Sequence, residues 1–142
     1  MKKSILISLL IASSAFAMNN KEMTVYKSPY CGCCTKWIDI MKSKGFNIET
    51  ITTNKVNEIK QKVGITSKTA SCHTALVDGY VVEGHVNYSA IKKMLTNKPD
   101  IVGITVPGMP IGSPGMEQGK HKDSYNVLSI DKDGSLKVYE KY

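Results

Sequence analysis

Three cysteines fall within four consecutive positions, between a segment with the hydrophobic pattern of a strand and one with the pattern of a helix. The run Cys-Gly-Cys-Cys occupies positions 31–34 and follows a short strand-like run at residues 23–27. Beyond it, apolar side chains recur at helical spacing between Trp37 and Met41, and Gly45 ends that pattern. The sequence therefore predicts a strand, a cysteine turn and a helix, with the sulfurs at a helix N-terminus that stabilises thiolates.

The middle of the chain continues this alternation of strands and helices. A second strand is expected at residues 46–50. Two further helices are expected after Asn54 and Asn87, which are the predicted N-caps. Asp78-Gly79 lies between two β-prone runs and predicts a tight hairpin.

The last third of the chain has a different composition. Residues 101–122 are rich in Gly and Pro but keep apolar Ile, Val and Met, which predicts an ordered loop. Residues 125–130 and 136–139 flank a polar turn and predict a terminal hairpin. The predicted fold class is α/β, a mixed sheet with flanking helices plus a Gly/Pro/Met-rich loop and a C-terminal β-hairpin.

The first residues predict a secretory signal. Lys2-Lys3 precede an apolar run at residues 5–16, and Ala15-Phe16-Ala17 forms a cleavage site. A membrane anchor is disfavoured, because a dozen residues of helix reach only about 20 Å against a hydrocarbon core of ~30 Å. We expect a signal peptide at residues 1–17, one domain at 18–142, no membrane span after cleavage, and release to the bacterial periplasm.

The expected compartment matters for the cysteines. The periplasm is oxidising, so unprotected thiols there tend to pair. Four cysteines that remain free in it need a metal, a reductase partner or a redox cycle. The net charge of +7 comes from lysine alone, without arginine or a dense basic run, and so predicts solubility and not nucleic-acid binding.

The order of strand, C-x-x-C and amphipathic helix resembles thioredoxin. In thioredoxin-like folds, the loop before the third strand faces the C-x-x-C and holds a cis-proline. Here residues 71–74, Ser-Cys-His-Thr, take that place without a proline. The resemblance implies a thioredoxin-like sheet in which Cys72 meets Cys31, Cys33 and Cys34 from a different element.

Four motifs in order carry a closer resemblance. They are Cys-Gly-Cys-Cys at 31–34, Ser-Cys-His-Thr-Ala at 71–75, Gly-Tyr-Val-Val-Glu-Gly-His-Val at 79–86 and Pro-Gly-Met-Pro-Ile-Gly-Ser-Pro-Gly-Met-Glu at 107–117. Together they resemble the CopG-type family of periplasmic copper-resistance proteins, over most of the chain after residue 23. The resemblance implies a role in copper handling, with copper ions, other periplasmic copper-handling proteins or a thiol reductant as partners.

The chemistry of sulfur supports copper independently. Cu(I) prefers thiolate and thioether ligands, and bridging thiolates suit a multinuclear Cu(I) cluster better than one tetrahedral ion. We therefore hypothesise that Cys31, Cys33, Cys34 and Cys72 ligate copper. Because thiolates and copper exchange electrons, the same site could interconvert Cu(I) and Cu(II).

The remaining candidate ligands are two histidines and two methionines. His73 adjoins Cys72, and His85 ends the predicted hairpin, so each is a ligand or a structural residue. Met109 and Met116 lie in Pro/Gly turns and either ligate copper or pin the loop by packing. Outside this set, His121 is expected to be solvent-exposed, and Tyr30 is expected to shield the site or to pack.

Three alternatives stay open at this point. Cys31 and Cys34 could instead be the catalytic pair of a thiol–disulfide oxidoreductase. The cysteines could form two structural disulfides, although three within four positions would close very small loops. Four thiolates would also satisfy zinc. No phosphate-binding loop or hydrolase triad motif is found in the sequence.

Overall fold

The computed structural model describes residues 20–142, which contain seven strands and three helices. In chain order these are β1 (Lys21–Lys27), α1 (Gly32–Ser43), β2 (Phe46–Thr52), α2 (Val56–Lys62), β3 (His73–Val77), β4 (Tyr80–Glu83), α3 (Tyr88–Asn97), β5 (Gly103–Thr105), β6 (Asn126–Ile130) and β7 (Leu136–Lys141). The predicted signal peptide at residues 1–17 lies outside the described residues. Within residues 20–142, no helix has the length and apolarity that a membrane crossing requires.

All seven strands form one mixed sheet with the order β2-β1-β3-β4-β5-β6-β7. The β1–β2 and β4–β5 pairs are parallel, and the other four pairs are antiparallel. Helix α1 crosses between the parallel strands β1 and β2, as a parallel pair requires. The predicted α/β mixed sheet is confirmed.

The main core lies between the sheet and the helices α1 and α3. Trp37 and Met41 of α1 and Ile91 of α3 are fully buried against sheet residues such as Val25 and Val82. A smaller apolar cluster that includes Ile65 and Val81 packs separately from this core. Burying α1 along its apolar face fixes the helix start, and with it the cysteines, against the sheet.

Two local predictions were wrong. The predicted loop at residues 101–122 contains strand β5, whose three residues are too few to show a periodic pattern. Asn54 does not cap α2, since Lys55 takes the N-cap position without a side-chain hydrogen bond. Asn87 does hold the N-cap position of α3, but its Oδ1 accepts a hydrogen bond from Tyr125 and not from the helix backbone.

Residues 106–125 connect β5 to β6 as a long, internally bonded loop. Ile111 donates its backbone N–H to Asp123 Oδ2 at 2.8 Å, and Asp123 donates its own N–H to Ile111 O at 2.9 Å. Gly112 N–H bonds to Met116 O at 3.1 Å. These contacts across the loop give it a defined shape, as predicted for a segment that retains apolar residues.

Candidate metal centre

Three cysteines at the start of α1 form what we call the thiol side of the centre: Cys31, Cys33 and Cys34. Cys31 occupies the N-cap position, and its Sγ accepts a hydrogen bond from Cys34 N–H at 3.3 Å. Cys31 and Cys34 are joined as a disulfide, with their Cα atoms 5.3 Å apart. Cys34 is buried and Cys31 is half-buried, so an outside thiol or ion reaches the pair at Cys31.

The fourth sulfur comes from a different part of the chain. Cys72 immediately precedes β3 and is a free thiol, as is Cys33. Cys33 Sγ lies 3.5 Å from Cys31 Sγ, and all four sulfurs lie within 4.8 Å of one another. The structure therefore brings together the four cysteines that were predicted from the sequence as candidate copper ligands.

Two histidines pack against Cys72, and these three residues are what we call the histidine side of the centre. Cys72 Sγ lies 3.3 Å from His73 Nδ1 and 2.9 Å from His85 Nε2. Both imidazoles are completely buried, and their rings meet edge to face with centroids 5.1 Å apart. The Trp37 ring covers His73 at 4.6 Å.

The loop after β5 fixes the orientation of His85. His85 Nδ1 lies 2.8 Å from Pro114 O, and because a carbonyl only accepts, Nδ1 carries the proton. His85 Nε2 then has a free lone pair that faces Cys72 Sγ. A ring nitrogen bound to a carbonyl, with the other nitrogen free, is the usual arrangement of a metal-ligating histidine.

Gly115 explains why this turn can approach so closely. Its φ is +86°, and a Cβ built there would lie 2.9 Å from Cys33 O and 3.0 Å from Trp37 N. A side chain would push the turn away from α1 and carry the Pro114 carbonyl away from His85. The turn therefore contacts the thiol side and the histidine side together.

A buried ion pair positions the segment that carries Cys72, and the sequence analysis did not identify it. Lys60 of α2 and Glu83 of β4 form a salt bridge with side chains 8% and 0% exposed. Glu83 accepts hydrogen bonds from Ser71 N–H at 2.7 Å and from Thr74 Oγ1 at 2.6 Å. The two carboxylate oxygens thus hold residues on both sides of Cys72. A Glu that ends an otherwise apolar strand was the available signal.

Burial keeps the histidine side uncharged in the metal-free protein. The pKa of His73 is lowered well below its ordinary value, chiefly by burial and then by His85, Lys60 and Lys27. Burial also lowers the pKa of His85, against the opposing effect of the Pro114 carbonyl. Burial and the neighbouring Cys33 raise the pKa of Cys72 to about 12. A metal ion would have to displace the Cys72 proton, as metals commonly do at thiol ligands.

The two methionines occupy different positions in the loop. Met109 is 52% exposed and follows Gly108, whose carbonyl accepts a hydrogen bond from Ser71 Oγ at 2.5 Å. Met116 is half-buried and directly follows the Gly115 turn. Both thus belong to segments bonded or packed next to the centre. Their role as ligands stays a prediction.

Two of the other sequence expectations concern residues outside the centre. His121 is exposed and pairs with Asp123 at 3.1 Å, as expected of a solvent-facing residue. Tyr30 is 91% exposed, so the prediction that it shields the cysteines or packs was wrong. The residue follows the turn at Pro29 and lies beyond the N-cap of α1, where no element covers it.

The fold and the centre together define a mixed α/β protein with a cysteine-rich candidate metal site. A solved structure described as "Copper resistance protein copG- Form 2" is 37% identical, with a TM-score of 0.83, and the match covers 87% of this chain and 99% of that one. A second, "Copper resistance protein copG- Form 1", is also 37% identical, with a TM-score of 0.82 and coverage of 87% and 98%. The chain belongs to the CopG copper-resistance family.

A family model described as "Protein of unknown function, DUF411" matches residues 69–116. That range runs from the segment before Cys72 to Met116, and so includes the whole histidine side and the turn that orients His85. A search of curated proteins found no match.

Proposed function

We propose that this protein is a periplasmic copper-binding protein that holds Cu(I) in a cysteine-bridged, multinuclear site and serves copper resistance or homeostasis. The convergence of four sulfurs within 4.8 Å of one another carries this proposal. Thiolates are the protein ligands that Cu(I) prefers, and sulfurs this close can bridge neighbouring ions. Membership of a copper-resistance family supports copper over zinc.

The disulfide makes copper loading depend on a reductant. Cys31 and Cys34 can offer two thiolates only after their disulfide gains two electrons and two protons. A periplasmic dithiol would supply both and become a disulfide itself. Each thiol then loses its proton when it binds metal. The reduced protein has four sulfur ligands, of which Cys33 and Cys72 already exist as thiols in the oxidised protein.

The proposal also includes interconversion of Cu(I) and Cu(II) at this site. A soft sulfur set favours Cu(I), whereas imidazole also suits Cu(II). Here the two donor types lie side by side, since Cys72 Sγ contacts both His73 and His85. Met109 and Met116 are the proposed supplementary thioether ligands.

The test is an anaerobic Cu(I) titration of the reduced mature protein, followed by metal analysis of the purified complex. Several tightly held copper ions per chain are expected. Cys33→Ser should reduce that number, and Cys72→Ser should reduce it further. Met109→Leu and Met116→Leu keep the side-chain volume, so lost copper affinity at unchanged stability would identify a ligand. A reduced protein that retains no copper would refute the proposal.

A thiol–disulfide oxidoreductase is the second candidate, and the Cys31–Cys34 disulfide favours it. The pair spans a C-x-x-C at a helix N-terminus, where the thiolate is a good leaving group. Against this activity, Cys33 and Cys72 lie close enough to compete for the same sulfurs. Insulin reduction at the rate of a dithiol isomerase, together with no copper retention, would make this the preferred function.

A further inference from the structure

We propose that Cys72, His73 and His85 form a mononuclear copper site of their own, which can be occupied while Cys31 and Cys34 remain a disulfide. The inference rests on the proposed copper-binding function and extends it to the oxidised protein. In that state the thiol side has lost two of its three ligands. The histidine side has lost none, because its one cysteine is free.

The donor atoms already form a compact set. Cys72 Sγ and the two imidazoles offer three ligand atoms within 4.8 Å of one another. An ion with bonds of about 2.3 Å to sulfur and 2.0–2.1 Å to nitrogen separates these atoms by about 3.5 Å in a tetrahedral site and by about 3.8 Å in a trigonal one. The observed separations are 3.3 Å and 2.9 Å, so an ion needs the side chains to part by less than about 1 Å.

The surroundings prepare His85 for this role without any metal. Its Nδ1–H is bound to the Pro114 carbonyl, so Nε2 is left free to donate its lone pair towards Cys72. His73 presents its other ring nitrogen, Nδ1, to the same sulfur at 3.3 Å. When Nδ1 donates its lone pair to a metal ion, the ring proton of the neutral imidazole is carried by Nε2, which is buried.

The donor set also determines the kind of ion. Two imidazoles and one thiolate are the ligands of trigonal copper sites that transfer electrons, often with a distant methionine as a fourth ligand. A Cu(I) ion and one thiolate cancel in charge, so their complex avoids the cost of leaving a net charge in a buried site. Copper is therefore favoured over a divalent hard cation.

The experiment uses the Cys33→Ser protein in its oxidised form, in which Cys72 is the one remaining free thiol. Cu(I) is added without oxygen or thiol reductant, against a competing chelator, and thiol counting before and after confirms that the disulfide persists. We expect one copper ion per chain. X-ray absorption should show one sulfur and two nitrogen neighbours.

Two histidine variants provide the matched comparison in that background. His85→Asn should weaken Cu(I) binding by at least about tenfold, because loss of even the groups that orient a metal ligand costs about 10- to 100-fold in metal affinity. His121→Asn alters the exposed histidine and should leave affinity unchanged. Thermal unfolding of both variants shows whether they fold. X-ray absorption of the Cys33→Ser protein, in which no histidine is changed, tests the ligands independently.

The outcomes separate this inference from the proposed function. If the reduced unsubstituted protein binds several copper ions and the oxidised Cys33→Ser protein binds none, the mononuclear site is refuted and the proposed function survives. A copper ion with sulfur neighbours only, or one unaffected by His85→Asn, also refutes the site. If neither form binds copper, both proposals fail.

Discussion

The two sides of the metal centre are constructed in different ways. The thiol side is local in the chain: Cys31 caps α1, and Cys33 and Cys34 lie in its first turn. The histidine side comes from the ends of β3 and β4 and depends on contacts with α2 and with the loop after β5. The thiol side is thus local in sequence and changes with redox state. The histidine side is assembled by tertiary structure and keeps its donors in both states.

Replacing Cys72 should have the largest effect on copper binding, because it should affect both sides of the centre. Cys72 belongs to the histidine side and also lies within 4.8 Å of the three sulfurs of the thiol side, whereas Cys33 belongs to the thiol side alone. We expect Cys72→Ser to lower copper capacity in the reduced and in the oxidised protein. Cys33→Ser should lower it in the reduced protein only. Copper-to-protein ratios after anaerobic gel filtration measure this, and equal losses in both variants would contradict the separation.

Breaking the buried ion pair should be the next largest effect, and it should act through the histidine side. Removing one partner leaves an uncompensated buried charge, which costs about 3–5 kcal/mol of stability. Glu83→Gln should therefore lower the free energy of unfolding in denaturant by about 3–5 kcal/mol. It should also make the position of Cys72 less fixed, because a neutral amide accepts a weaker hydrogen bond from Ser71 N–H than a carboxylate does.

The chain contains a matched control for that prediction. Lys55 and Glu58 form an exposed pair at 4.0 Å, and such pairs contribute about 0–1 kcal/mol. Glu58→Gln should hence change unfolding free energy and copper stoichiometry little. If Glu83→Gln behaved like Glu58→Gln, the buried pair would have no positioning role.

Disturbing the Gly115 turn, which contacts both sides of the centre, should have a smaller effect on copper binding. Gly115→Ala places a Cβ within 3.0 Å of backbone atoms at Cys33 and Trp37, in a strained backbone conformation that costs of order 1–3 kcal/mol. Because the turn carries the Pro114 carbonyl, we expect weaker copper binding by the oxidised protein. Isothermal titration against a chelator measures this.

Gly119→Ala separates backbone strain from the contact itself. Gly119 also has a positive φ, +57°, but a Cβ there meets nothing within 4 Å. Both variants share the conformational cost, and only Gly115→Ala displaces the turn. Equal copper affinities in the two would show that the Pro114 contact does not matter for binding.

Acid should weaken the histidine side in the metal-free, oxidised protein, and this is the smallest effect we predict. The folded state lowers the pKa of His73 below its ordinary value near 6.5. Below that pH, the unfolded chain therefore binds a proton at His73 that the folded chain does not bind. Stability therefore falls as the pH drops below about 6.5. The melting temperature at pH 7.5 and 5.5 measures this, and His73→Phe should reduce the difference. A melting temperature independent of pH would contradict the buried neutral state.

The same contrast explains what the sequence could predict. The turn at residues 31–34 was identified because its cysteines are neighbours and an amphipathic helix follows them. The meeting of Cys72 with the other sulfurs was implied by the resemblance to thioredoxin-like folds, in which the loop before the third strand faces the C-x-x-C. By contrast, the roles of Lys60 and Glu83 depend on two side chains 23 residues apart meeting in the interior. The protonation of His85 depends on a carbonyl 29 residues away, which no local pattern encodes.

The path of the long loop links the end of the chain to the metal centre. The loop leaves β5 and returns to β6, its antiparallel neighbour in the sheet, so both of its ends are held side by side by two paired strands. Tyr125, the last loop residue, exchanges backbone hydrogen bonds of 3.0 and 2.9 Å with Tyr142, the final residue. The C-terminal hairpin therefore anchors the loop that carries the Gly115 turn. Shortening the chain at its last strand would release one end of the loop and leave His85 without a fixed carbonyl partner.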